Sequence, residues 1–298
     1  MGEFLEVVAK VAVLVFVVAC MAAAGLGLGV RDVIAPLRRA RLVALAVVAN
    51  FVVAPALAYA LIAVIPLERP YAIGLLLLGG AAGAPFLPKL AELAKGDLAF
   101  SVGLMLLLTV GSVAFMPVVL PLLIPGLSAD PWPILRPLLV TMLLPLAAGM
   151  AVRRRSERWA SRLRPVIGVV SNVSMVLAVV LLVGLNFGAM IGTFGSGAVA
   201  VAVLFVAVSL AVGYALGGPA PGTRSVLGLG TGQRNVAAAL VIATQNFPDD
   251  PGVVVMILVS TLAGLVVLLV AARRFARQSS AALAARPSRL ATNEPAFP

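Results

Sequence analysis

Nine stretches of roughly twenty or more mostly apolar residues follow one another along the 298-residue chain, each long enough to cross the ~30 Å hydrocarbon core of a bilayer as a helix. They lie near residues 5–29, 41–65, 70–95, 97–124, 133–152, 163–188, 196–217, 223–247 and 252–272. Lipid offers no hydrogen-bond partners, so segments of this length must satisfy their own backbone as helices. The expected fold is an all-α integral membrane protein of about nine transmembrane helices in a single domain, residues 1–276. The tail over 277–298 is rich in Ser, Ala, Arg and Pro and reads as disordered. With 62% hydrophobic and 11% charged residues, a soluble domain is excluded.

The formal charge of +11 raises nucleic-acid binding as a function, but the basic residues fall in short clusters between the apolar spans. With the N-terminus outside, 18 of the 22 Lys and Arg collect on the inner side, around Arg31 to Arg41, Lys89 and Lys95, Arg153 to Arg164, Arg224 and Arg273 onward. Only Lys10, Arg69 and Arg136 fall outside. That asymmetry predicts nine spans, a cytoplasmic C-terminus and no nucleic-acid partner. Glu3 and Glu6 stand where a cleaved leader would be basic, so the first span is expected to stay. Abundant Ala, Val, Gly and Arg fit a bacterial inner membrane. The single cysteine, Cys20, permits no disulfide within one chain, and histidine is absent. Without His or a deep pair of acids, an intramembrane enzyme lacks its usual nucleophile and base, and no metal site is expected.

Two spans are interrupted. The third contains Leu78-Gly-Gly-Ala-Ala-Gly-Ala-Pro-Phe-Leu-Pro88, in which Pro85 and Pro88 remove helix donors and Gly80 and Gly83 permit a sharp turn. The eighth reads Gly228-Leu-Gly-Thr-Gly-Gln-Arg-Asn-Val-Ala237, with a break expected at Gly230, Thr231 and Gly232, about ten residues or ~15 Å beyond Arg224. Each break lies near mid-depth, precedes a short polar turn (Gly96-Asp97, then Pro248 to Pro251) and is followed by a long apolar span. Interrupted helices at matching places in two halves point to an inverted-repeat transporter and its binding site. Arg234, beside the second break, is the one cation too deep to reach a membrane surface, and such a residue is a functional-site candidate.

Plainer readings stand beside these. Glycines in membrane helices also serve as packing surfaces. No acid lies deep enough to pair with Arg234, but the residue could instead bind backbone carbonyls freed by the breaks. Asn50, Thr109, Ser112, Thr141, Ser171, Asn172, Ser174, Asn186, Thr231, Ser260 and Thr261 read in the main as interhelical hydrogen-bond partners.

The run Gly228 to Gln245, with Ala94-Lys-Gly-Asp-Leu-Ala-Phe-Ser101 after the first break and Met21-Ala-Ala-Ala-Gly-Leu-Gly-Leu28 ending the first span, resembles the bile acid:sodium symporter family over most of the chain. The resemblance implies a panel domain and a core domain, with two discontinuous helices crossing at mid-membrane, here Gly80 to Pro88 against Gly230 to Asn235. It also implies alternating access and organic-anion substrates, bile-acid-like or smaller carboxylates, usually carried with sodium. Several positions depart from the pattern. Sodium-coupled members have an acid at Gly230, a glutamine at Arg234 and Ser-Asn at Leu87-Pro88. Their earlier glutamine corresponds to Asn50. Of their later hydroxyls Ser101 is kept and Met105 replaces a threonine, while Asn235 is unchanged.

A guanidinium keeps its proton, so Arg234 would act as a built-in cation in place of bound sodium. The expected function is sodium-independent carriage of an organic anion. The substrate would meet Arg234, Gln233, Asn235 and Thr231 with Asn50, Ser260 and Thr261, and Met21, Phe51, Met105, Met142 or Met175 would supply apolar walls. The alternatives are sodium coupling through Gly230 to Gly232 carbonyls with Asn50, Ser101 and Thr109, or a non-transporting membrane receptor or scaffold. The oligomeric state is open.

Overall fold

The computed structural model describes residues 2–29, 39–124, 127 and 130–284. Arg31, Arg38 and the tail from 285 onward, expected to be disordered, lie outside the described residues. Among the described residues every regular element is helical and eight helices are long and apolar enough to cross a membrane. The eighth expected span counts among these eight although it too is interrupted, and the third expected span is two shorter helices.

We number the helices α1 (Gly2–Gly27), α2 (Ala40–Val64), α3 (Arg69–Gly80), α4 (Leu87–Leu93), α5 (Leu98–Leu123), α6 (Trp132–Arg155), α7 (Glu157–Gly192), α8 (Ala198–Leu216), α9 (Pro221–Gly232), α10 (Val236–Asn246) and α11 (Pro251–Ala284). The last helix continues past Arg277, where the tail was expected to begin. Helix α7 starts well before the expected residue 163, because Ser156 caps it by accepting from Trp159 N at 3.4 Å.

Two helices contain a widened π turn, α2 at Ala49–Val53 and α6 at Leu139–Leu143. Each is followed two residues later by a proline, Pro55 or Pro145. A proline inside a helix removes a donor and crowds the carbonyl four residues back, and the wider turn accommodates that loss. The first π turn contains Asn50, which is fully buried.

Helix α1 packs most extensively on α7 and α6. The approach to α6 is backbone against backbone: a Cβ on Gly25 would overlap the Leu146 carbonyl, and one on Gly149 the Ala22 carbonyl. Helices α2, α3, α5, α8, α9 and α11 pack among themselves, with α8 against α9 and α11, and α11 against α3. The two groups meet where α10 touches α1 and α6, α7 touches α11 and α5 touches α6.

Candidate functional site

Residues 81–86, between α3 and α4, are not helical, and Gly83 there has φ +81°. Gly83 is held so close to α5 that a Cβ would overlap the backbone of Leu108 and Thr109. Only glycine meets both demands without strain. Helix α5 then satisfies the unwound backbone. Ser112 Oγ accepts from Ala82 N at 2.8 Å and donates to Ala82 O at 2.9 Å, and Thr109 Oγ1 donates to Gly83 O at 2.7 Å. Pro85 lies in the break, and Pro88 sits in the first turn of α4, where a missing N–H costs little.

The second break is displaced from its expected place. Helix α9 continues through Gly228, Gly230, Thr231 and Gly232, and the chain unwinds at Gln233, Arg234 and Asn235. The three glycines are packing positions: Gly228 lies against Leu210 and Tyr214, Gly232 against Leu210 and Leu268, and Gly230 against Leu87 and Leu104. Close packing offsets the cost of helical glycine, which is why composition alone misplaced the break.

The two breaks bond to each other. Asn235 N donates to Ala81 O at 2.8 Å and its Nδ2 to Gly83 O at 3.2 Å, while its Oδ1 caps α10 by accepting from Ala238 N at 3.1 Å. Arg234 is 5% exposed. Its Nε donates to Leu78 O at 2.9 Å and its Nη2 to Gly79 O at 2.5 Å, both carbonyls from the last turn of α3. Its Nη1 donates to Asn50 Oδ1 at 2.9 Å. Two longer contacts, both 3.5 Å, run to Thr231 O at the end of α9 and to Asn50 O. Five oxygens thus surround a group with five N–H donors, and none of them belongs to a carboxylate. Helices α3 and α9 both direct their C-terminal carbonyls, the negative ends of their dipoles, at this one cation. Asn50 completes the set by donating from Nδ2 to Thr231 Oγ1 at 3.2 Å and to Ala46 O at 3.0 Å.

Of the expected site residues, Arg234, Asn235, Thr231, Asn50 and Thr109 are therefore joined in one bonded cluster with Gly83. Gln233 adjoins it, and its Oε1 is buried without a partner. Ser260 and Thr261 bond to neither break: the Ser260 hydroxyl is buried and unpartnered, and Thr261 donates to Ile257 O at 2.6 Å in its own helix. Ser101 likewise donates to Leu98 O at 2.7 Å, eight residues or ~12 Å along α5 from Thr109. Gly230, Leu87 and Met105, where the resemblance implies oxygen-bearing side chains, are apolar here. A Cβ on Gly230 would meet Leu87 Cδ2 at 3.0 Å and Leu104 Cδ2 at 3.2 Å, so leucine methyls fill that space.

The expected apolar walls do not come together in one pocket. Met21, Met105 and Met142 are buried, Met175 is exposed, and Phe51 lines a groove of about 460 Å³ between α2 and α5 with Val47, Leu107, Gly111 and Phe115. In the sequence Ser112 stands only as one of many buried hydroxyls, and the reading that Arg234 binds carbonyls freed by the breaks does not say which carbonyls, here those of Leu78 and Gly79. Backbone acceptors leave no trace in residue identity. The spacing of Thr109 and Ser112, three apart and hence on one helical face, was the available signal for α5.

Residues 13–193 match the Sodium Bile acid symporter family. The chain is also similar to a probable sodium/metabolite cotransporter of Arabidopsis thaliana, BASS3, chloroplastic, with 26% identity over 232 residues. That alignment takes in 76% of this chain and 54% of the plant protein, so the chain spans about half the length of the curated relative it matches.

Proposed function

The chain belongs to the Sodium Bile acid symporter family, whose match covers more than half of it, and from that premise we propose that it carries small organic anions without coupling to sodium. The family's members are transporters and not enzymes, and the multiple apolar helices make this a multi-pass membrane protein. The observation that carries the proposal is the seating of the Arg234 guanidinium between the C-termini of α3 and α9. In transporters with broken helices, unwound carbonyls and half-helix C-termini are where a coupling cation binds. A permanent cation there keeps the positive potential without loading an ion, and the leucine packing at Gly230 removes the space for one. Sodium would also be repelled by a guanidinium a few ångströms away.

In this reading Arg234 acts on the substrate mainly through its field, because its donors are already taken. Direct contacts fall to the Nε2 donors of the Gln233 amide and to the N-terminus of α10. Helix α10 is also where the α2–α5, α8, α9 and α11 group meets α1 and α6. We take the α1, α6 and α7 group as a panel and the remainder as a core of two inverted repeats whose relative movement gives alternating access. The N-terminus lies outside and the C-terminus in the cytoplasm, at a bacterial inner membrane.

The test is uptake into proteoliposomes across a panel of organic anions, each under a sodium gradient and again with potassium replacing sodium. Flux of at least one anion should be equal in the two salts and lost in Arg234→Gln protein that still folds. Flux that requires sodium, or full flux in Arg234→Gln, would overturn the proposal. Saturable binding with no flux would instead identify a receptor.

A further inference from the structure

A strongly charged surface remains outside the transport site. Where α6 turns into α7, Arg154, Arg155, Arg158 and Arg162 are exposed, Trp159 among them is 58% exposed, and Glu157 is the one acid between residues 150 and 165. Their neighbours have structural employment. Arg153 Nη1 donates to Gly27 O at 3.0 Å and so caps the C-terminus of α1, and the Arg164 guanidinium packs so near Gly27 that a Cβ there would stand 2.9 Å from its Cζ. Arg154, Arg155, Arg158 and Arg162 take part in neither ion pair found among the described residues, Arg39 with Asp97 and Lys89 with Glu92.

Arg158 and Arg162 also begin a stripe. At about 100° per residue, Val166, Val169, Val173, Val176 and Val180 fall with them inside an arc of about 80° on α7. These five valines are between 57% and 62% exposed. Val166 to Val176 spans about 15 Å of helix, half of a ~30 Å hydrocarbon core and so the depth of one leaflet. A charged head region therefore leads directly into an apolar track of one acyl chain's depth. A second copy of this chain fits the face poorly. Copies in one membrane share an orientation, so a symmetric contact here would set Arg158 and Arg162 against their own equivalents.

We propose that this face binds an anionic phospholipid. Its phosphodiester sits between Arg158 and Arg162, with Arg154 and Arg155 beside the headgroup, Trp159 at headgroup depth and one acyl chain along the valine stripe. Guanidinium forks match phosphate oxygens in geometry as well as charge, and basic pockets between membrane helices are established headgroup sites in general. The site is separate from the Arg234 cluster and does not depend on what is transported.

Native mass spectrometry of the full chain in detergent tests this, with phosphatidylglycerol, phosphatidylcholine and glycerol 3-phosphate as probes. Phosphatidylglycerol should be retained over phosphatidylcholine, and Arg158→Gln with Arg162→Gln should reduce that retention about tenfold or more, the loss expected of one charge-assisted contact. Should the double variant fail to insert, Arg158→Lys with Arg162→Lys keeps the charge, loses the fork and should show a smaller reduction; undiminished retention in either variant overturns the site. Equal retention of the two lipids would do the same. Glycerol 3-phosphate competing as well as the lipid would mean a free phosphate site, and disulfide-linked dimers of Val173→Cys in a Cys20→Ser background would put a second copy on this face. Either result sinks the lipid proposal.

Discussion

The first break unwinds over six residues, 81–86, and the second over three, Gln233 to Asn235, and the two are chemically opposite. The first presents carbonyls: Ala81 and Gly83 in the unwound stretch, with Leu78 and Gly79 in the last turn of α3 just before it, all accept bonds from the second. The second presents donors, from the Arg234 guanidinium and from the backbone and side chain of Asn235. An interrupted helix in a membrane is tolerable only if its freed polar groups find partners, and here each break meets the other's need. The first also requires hydroxyls from α5, because its longer unwound stretch frees more groups than the second break can reach. Glycine has different duties at the two places. In the first break Gly83 supplies a positive φ, whereas in α9 the glycines only let neighbours approach.

That contrast predicts unequal costs. Gly83→Ala should be the most damaging change, destabilising by roughly 2–6 kcal/mol through left-handed strain together with the clash on α5; a denaturant titration in mixed micelles that finds it close to wild type would undo the distinction. Asn235→Ala, which removes a helix cap and a donor to Gly83, should cost about 2 kcal/mol. Hydrogen exchange localises this effect, with faster exchange expected at the first turn of α10. Ser112→Ala leaves both polar groups of Ala82 without a partner and should cost about 1–3 kcal/mol, read as a lower midpoint of thermal unfolding. Gly230→Ala should be smallest, within about 1 kcal/mol, since the ends of two leucines can shift and alanine favours the helix. A Gly230→Ala protein as unstable as Gly83→Ala would mean that α9 cannot yield there.

The first break was legible because Pro85, Pro88 and Gly83 all oppose helix continuation for reasons internal to each residue. The second was misplaced by a few residues because a glycine-rich helix breaks or packs according to what lies against it, and Leu210, Leu268, Leu87 and Leu104 come from distant parts of the chain. Arg234 was recognisable as a cation out of reach of any surface. Its saturation by carbonyls was one of the readings left open, and no residue type could decide it. Ser260 and Thr261 looked equivalent to Thr109 as polar residues in an apolar span, yet only Thr109 reaches a break.

The sequence by itself determined the apolar helices long enough to span a membrane, the existence of two interruptions and the burial of Arg234, because lipid imposes the same rules on every residue independently of its neighbours. Tertiary structure alone decided where the second helix breaks, which oxygens enclose the guanidinium and which glycines bend rather than pack. Those outcomes depend on backbone groups brought together across more than 150 positions of sequence, as from Leu78 to Arg234. A backbone carbonyl is the same whatever side chain it carries, so only the fold can say which ones meet a buried charge.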